Sequence, residues 1–269
     1  MSSPANLKAP WPADWLLPEW PAPAGVRAVC TTRAGGVSGA PYDSLNLGTH
    51  VGDDTQHVEQ NRAVLQQALG VRPVFMDQVH GTRMLELDVH TPNNLQADGC
   101  STTEAGVACT VMVADCLPIL LCDTEGKRVA AVHAGWRGLV GTDGQGVVEQ
   151  VYKHFVPFAQ EGLAQTAPKV IAWLGPCIGP QAFEVGPEVR AAFVADQPQA
   201  AQCFVPLPGG KWLADLAALA RLRLEALGVH AIYGNDSSAP WCTVGNPSRF
   251  FSYRRERFTG RLGACIWLE

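Results

Sequence analysis

Between residues 107 and 138 three short apolar runs follow one another with only a few polar residues between them, and no other feature limits the fold as tightly. Residues 107–114, 118–122 and 129–132 are rich in aliphatic and β-branched side chains, and the last two are separated by the turn-like Thr124-Glu125-Gly126-Lys127. Runs of this length bounded by turn residues read as buried strands. The first run ends at Asp115-Cys116, and the third at His133 and then Ala134-Gly135-Trp136-Arg137-Gly138. A strand that leaves the core at its end presents a side chain to a cleft, so two such ends would carry a thiol and an imidazole. A strand-like stretch upstream runs into Gln78-Val79-His80-Gly81 and adds a second imidazole.

His80, Cys116 and His133 together offer two nitrogens and one sulfur, the donor set of a catalytic zinc site that keeps its fourth position open. Their wide separation matches neither a zinc finger nor a helical His-Glu-x-x-His motif, so only the fold can unite them. The same residues also fit a plain core, because free cysteine is among the most buried residue types.

The composition, with 47% hydrophobic and 17% charged residues over 269, is that of a globular protein with ample core. A net charge of −5 argues against recruitment of nucleic acid by general electrostatics, and no apolar run reaches membrane-spanning length. Nine scattered cysteines without a Cys-x-x-Cys pair, and an N-terminus without a secretory signal, suggest reduced thiols and a cytoplasmic location.

Residues 1–25 form a Pro/Trp-rich segment expected to pack its tryptophans across the body, and 26–269 are expected to be one catalytic domain. Residues 26–31 read as a strand. Residues 32–48 read as a glycine-containing loop in which Arg33 and backbone N–H groups suit an anion, although the P-loop ending is absent. Asp53-Asp54-Thr55 caps a helix that Gly70 stops. Strands are expected at 71–79, 84–89 and 170–174, and a shaped loop carrying Glu184 at 175–186. Thr142-Asp143 is expected to cap a helix carrying Val147, Val148, Val151 and Phe155. A helix over 213–227 should turn Leu216, Leu219, Ala220 and Leu227 inward and Arg221 and Arg223 outward. Residues 250–255 and 262–268 are expected to be the last two strands. Strands outnumber helices and occur in adjacent pairs, which implies an α/β fold with a mixed sheet.

Seven stretches then stand out in order: TRAGGVSGAPYDSLNLG, QVHG, ADG, ADCLPILL, VHAGWRG, WLGPCIGPQAFEVG and FFSYRRE followed by GRLGACIWL. As a set they resemble the YfiH family, also called the multicopper polyphenol oxidase or laccase-domain family, from about residue 25 to the end. The resemblance implies a single α/β/α domain with a mixed sheet, related to bacterial toxins that use a Cys-His pair. It implies that His80, Cys116 and His133 are metal ligands. It also implies one of several activities: phosphorolysis of adenosine, inosine and methylthioadenosine with hydrolytic deamination of adenosine, or peptidoglycan editing on UDP-muramoyl precursors, or copper polyphenol oxidation. The last ranks lowest, because it needs several metal centres while only two of the seven histidines fall in the set.

Zinc suits the His-Cys-His donors, and copper is tolerated by a thiolate. Zinc that lowers the pKa of water to about 7 fits deamination at C6 of adenine. Asp115 is a candidate proton shuttle or a group that orients a ligand, and Glu184 a second candidate carboxylate. For phosphate, Arg33, Arg137, Arg254 and Arg255 are available, with Arg33 the first choice because its fork holds two oxygens. Trp136 or Phe183 could stack on the base. A cysteine hydrolase with Cys116 as nucleophile and His133 or His80 as base is the competing chemistry. The expected partners are small molecules, a purine nucleoside and phosphate, with a monomer the simplest assembly.

Overall fold

The computed structural model describes residues 11–156 and 169–269. In chain order the first half contains β1 (Val26–Cys30), α1 (Thr55–Leu69), β2 (Arg72–Phe75), β3 (Met84–Glu86), β4 (Gly99–Thr102), β5 (Val107–Val113), β6 (Leu117–Asp123), β7 (Val129–Ala134), α2 (Trp136–Val140) and α3 (Val147–Phe155). The second half contains β8 (Val170–Leu174), β9 (Glu184–Val185), α4 (Pro187–Asp196), β10 (Phe204–Pro206), β11 (Trp212–Ala214), α5 (Leu216–Ala226), β12 (Ala231–Gly234), α6 (Tyr253–Glu256) and β13 (Leu262–Leu268).

The α/β class with mixed pairing is present, and the strands divide between two principal sheets. One has the order β1-β13-β5-β2, the other β12-β8-β6-β7-β4-β3, and β10-β11-β9 form a small third. Strand pairs β2·β5, β3·β4 and β8·β12 are parallel and the rest are antiparallel. Side-chain alternation explains the stacking. In β5, Val107, Cys109 and Val111 enter the same core as Leu120 and Cys122 of β6 and Val129 and Ala131 of β7, so the two sheets face each other there. The opposite parity, Leu117, Ile119, Leu121, Ala130 and Val132, packs on α3, α4 and α5. Ala108 and Met112 of β5 pack outward with Leu65 and Leu69 of α1 and with Trp15. Both principal sheets are thus buried on two faces, which is why β5, β6 and β7 read as continuous apolar runs rather than as alternating ones.

The helix ends follow local chemistry. The Asp54 side chain accepts the Gln56 N–H at 2.8 Å, and Gly70 closes α1 at φ 70°. Pro187 opens α4, and Asp215 caps α5. The expected strands at 71–79 and 84–89 shorten to β2 and β3. Three expectations are corrected. Thr142-Asp143 forms a turn rather than a cap; α3 starts after Gly146, whose N–H is taken by Glu149. Residues 250–255 are not a strand: Phe250 and Phe251 are buried in a loop, and Ser252 caps the short α6. Arg223 points inward, only 3% exposed, because Glu149, Asp196 and the Gly144 carbonyl all receive its guanidinium. No helix among the described residues is long and apolar enough to cross a membrane.

Candidate metal centre and cleft

His133 shares the side-chain parity of Val129 and Ala131, so the alternation of β7 aims it between the two sheets, near the end of the strand. Cys116 lies in the turn that carries the chain from β5 in one sheet to β6 in the other. His80 follows β2, at φ 60°. These three residues, far apart in sequence, place their ligand atoms within 4.8 Å of one another, and among the described residues they are the one such group. The Cys116 Sγ to His80 Nε2 distance is 3.7 Å, and the two imidazole rings meet edge to face with centroids 4.7 Å apart. Tetrahedral zinc with ordinary Zn–N and Zn–S bonds would set the N···S separation at about 3.5 Å. The donors therefore fit such an ion by type and by spacing.

One buried carboxylate arranges two of the donors. Asp98 is fully buried and accepts the backbone N–H groups of Val79, His80 and Gly81 at 3.2, 2.8 and 2.6 Å. The same carboxylate receives His133 Nδ1 at 2.9 Å, while its own carbonyl accepts the His133 N–H at 2.7 Å. An ionised acceptor makes Nδ1 the protonated nitrogen and leaves Nε2 free for a metal or a proton. Burial alone would raise the Asp98 carboxyl; the His133 ring and the Gly81 and His80 N–H groups outweigh it and hold it below its usual range. Burial likewise pushes the Cys116 thiol up, but His133 and then His80 bring it down to about 6. His133, which burial would lower, is held up at about 9 by Cys116 and Asp98. Both directions favour a thiolate–imidazolium pair when no metal is bound.

Glycines supply the room. A Cβ on Gly135 would lie 2.8 Å from His80 Cδ2 and 3.0 Å from Cys116 Sγ, and one on Gly138 would lie 2.7 Å from the Gly81 carbonyl. Gln78 braces the His80 turn by a paired bond to the backbone of Met112, at 2.8 and 2.7 Å.

The trio opens on a cleft of about 490 Å³. Asp115, Trp136, Arg137, Phe183 and Arg254 line it. Asp115 stands at φ 93°, and both its oxygens are occupied, by the Thr243 hydroxyl at 2.6 Å and the Arg254 N–H at 2.6 Å. That geometry suits a residue that shapes the turn before Cys116 better than a proton shuttle. The Arg137 guanidinium lies 4.4 Å from the Trp136 ring, and Arg254 reaches the Ala182 and Glu184 carbonyls beside Phe183. Arg33 and Glu184 do not line the cleft. Arg33 is spent on structure: it donates to the Asp43 and Pro247 carbonyls at 2.8 Å, pairs with Asp43 and Glu256, and lies over Phe251. The Glu184 side chain is exposed and paired with Lys211. Arg255 is similarly bound to the Thr243, Val244 and Phe250 carbonyls. Sequence reasoning missed His50, Gln78, Tyr253 and Arg261 as cleft residues, and Asp98 as the organiser of His80 and His133. None carried a local signal: Asp98 is an acid in a loop whose partners come from residues 79–81 and from His133.

Residues 27–269 match the family described as "Multi-copper polyphenol oxidoreductase laccase". A purine nucleoside phosphorylase of Pseudomonas aeruginosa is 50% identical over 257 residues, 95% of this chain and 98% of that protein. Purine nucleoside phosphorylase YfiH of Escherichia coli is 47% identical over 255 residues, 94% of this chain and 98% of that protein. The crystal structure of a Neisseria meningitidis protein superposes with a TM-score of 0.85 at 43% identity, covering 95% and 99% of the two chains.

Proposed function

This chain belongs to the YfiH, or laccase-like multi-copper polyphenol oxidoreductase, family, and from that premise we propose that it is a zinc-dependent purine nucleoside phosphorylase working on adenosine, inosine and methylthioadenosine, with hydrolytic deamination of adenosine as a second reaction. The observation that carries this reading is the pairing of 50% and 47% identity, over nearly the full length, to two proteins named purine nucleoside phosphorylase with an aromatic, cationic cleft that opens on the His80–Cys116–His133 trio. One three-residue group suits a single ion better than the several centres of a multicopper oxidase.

Bound at those residues, zinc would act as a Lewis acid toward substrate or water. The rest is the work of the chain. Trp136 and Phe183 offer faces to a purine. Asp98 fixes the His133 tautomer. In phosphorolysis an oxygen of hydrogenphosphate forms a bond to C1′ as the C1′–N9 bond breaks; the bonding pair leaves with N9, and the phosphate's proton ends on the free base. The products are base and ribose 1-phosphate. The cleft must therefore hold a dianion close to a stacked aromatic base.

A second reading has a specific observation behind it. A Cys116 thiol lowered by His133 and an imidazole raised by Cys116 would together supply the activated nucleophile of a cysteine hydrolase, which would fit editing of a cell-wall precursor. The test is a panel of purine nucleosides with and without phosphate, run on zinc-loaded and chelator-treated protein. Phosphate-dependent release of base that chelator abolishes and zinc restores supports the first reading. No base release at any phosphate concentration, together with a covalent adduct trapped on Cys116, would move the assignment to the second.

A further inference from the structure

The phosphorolysis reading needs a seat for phosphate, and the arginine best suited from its loop, Arg33, has its donors occupied elsewhere. Of the cleft arginines, Arg254 is turned onto the Ala182 and Glu184 carbonyls. Arg137 stacks on Trp136. Arg261 differs. Its Nη1 donates to the Thr259 and Gly260 carbonyls at 3.2 and 3.1 Å and its backbone N–H to Asn46 Oδ1 at 2.9 Å, while among the described residues its Nε and Nη2 have no hydrogen-bond partner and the guanidinium lies over no aromatic ring. Its side chain runs against Gly48, where a Cβ would come within 2.7 Å of Arg261 Cγ. Glycine thus clears the path that lays this guanidinium along the cleft.

His50 lines the same cleft two residues beyond that glycine, on the loop whose Asn46 holds Arg261 in place. Burial and then Arg261 lower the His50 imidazole, and burial lowers the Arg261 guanidinium while Cys116 and Asp115 act to raise it. Cys116 and Asp115 act on this guanidinium only from a distance, since among the described residues no carboxylate pairs with it directly, and an anionic ligand that did so would offset part of its burial cost. Among the described residues Asp115 is the one carboxylate that lines the cleft, and both its oxygens are taken.

We propose that the phosphoryl oxyanion consumed by this enzyme binds between the Arg261 guanidinium and the His50 imidazole, adjoining Cys116, rather than at Arg33. This rests on the phosphorylase reading for its purpose but not for its test. The ligand chemistry, a tetrahedral phosphoryl group, could come from free phosphate or from a phosphomonoester on the substrate; the assignment is to free phosphate.

The test compares wild type with Arg261→Gln and His50→Gln as zinc-loaded full chains. In inosine phosphorolysis, Arg261→Gln should raise the phosphate KM about tenfold or more, the usual consequence of losing a charge-assisted bond, with inosine KM within about twofold and zinc content unchanged. His50→Gln, at an exposed position, should move the same constant in the same direction by a smaller factor and guards against a folding defect in the first variant. An unchanged phosphate KM in both variants, or an equal rise in phosphate and inosine KM, overturns the assignment. Should wild type show no phosphorolysis, the functional reading fails, and calorimetric titration with inorganic phosphate still decides the seat. Binding by wild type that Arg261→Gln abolishes sustains it; no binding, or binding of adenosine 5′-monophosphate alone, ends it.

Discussion

Asp98 ties the site together at the scale of a single residue. Its carboxylate gathers three consecutive backbone N–H groups of the Val79–Gly81 turn and the His133 ring, so it fixes two donors at once. Asp98→Asn would keep the size but replace one acceptor oxygen with a donor that meets N–H groups already in place. Zinc affinity should fall about 10–100-fold, measured by competition with a chromophoric chelator; an unchanged affinity would show that the ligands hold their places without it. The same pair sets a pH dependence. The Cys116 thiol lies depressed at about 6, so in metal-free protein its alkylation rate should rise through a midpoint near 6 and level off above it. His133→Ala should move that midpoint back up toward an ordinary thiol. A midpoint that stays near 6 in the variant would assign the effect elsewhere. At this scale the sequence was legible where a residue type is rare in its surroundings, as with a Cys and two His at the ends of apolar runs. Asp98 was not, because an acid in a loop is common and its four donors come from two separate segments.

At the scale of the element, what mattered was which groups a helix or strand can satisfy. The β5, β6 and β7 runs and the α1 caps could be read directly because apolar length and capping chemistry are local. The misreadings were tertiary. Phe250 and Phe251 have strand-like composition, yet they are buried together with Leu262 and Val113 while Ser252 caps a helix. Arg223 lies on α5 beside exposed positions, yet the acids that draw it inward come from α3 and α4, which its own helix does not reveal. Arg223→Ala would leave Glu149 without its counter-charge in the interface of α3 with α5, and should cost about 3–5 kcal/mol in urea unfolding, with activity per folded molecule kept. A loss under about 1 kcal/mol would mean that solvent already screens the pair. The start of α2 makes the converse point. Gly135, at φ −71° and ψ 160°, has a backbone that alanine tolerates, so Gly135→Ala should fold. Its methyl would meet His80 Cδ2 and Cys116 Sγ, and metal content should drop with little change in the melt of the metal-free form. Full metal occupancy in that variant would show that the ligands can yield.

On the scale of the whole molecule, the three donors belong to different layers. His80 follows β2 of the four-stranded sheet, His133 lies in β7 of the six-stranded sheet, and Cys116 sits where the chain crosses from one to the other. An ion at that point would clasp the two sheets at one edge of their shared core. Because the native state alone brings the donors together, binding free energy becomes folding free energy. Zinc held free at 100 times its dissociation constant should therefore stabilise the protein by about 2.7 kcal/mol, and chelator should remove that increment without unfolding a chain whose cores are otherwise complete. The pH dependence has a definite sign. The depressed Cys116 contributes stability that is present above its ordinary pKa and lost as pH falls through about 6, while the raised His133 contributes stability present below its ordinary pKa and lost as pH rises through about 9. Metal-free protein should hold the charged pair between those limits. Zinc must displace the His133 proton there, so calorimetry in buffers of different ionisation enthalpy should detect about one proton released per ion near pH 7.5, and His133→Ala should lose most of the stabilisation. Zinc stabilisation of equal size in His133→Ala would place the ion away from the seam between the sheets.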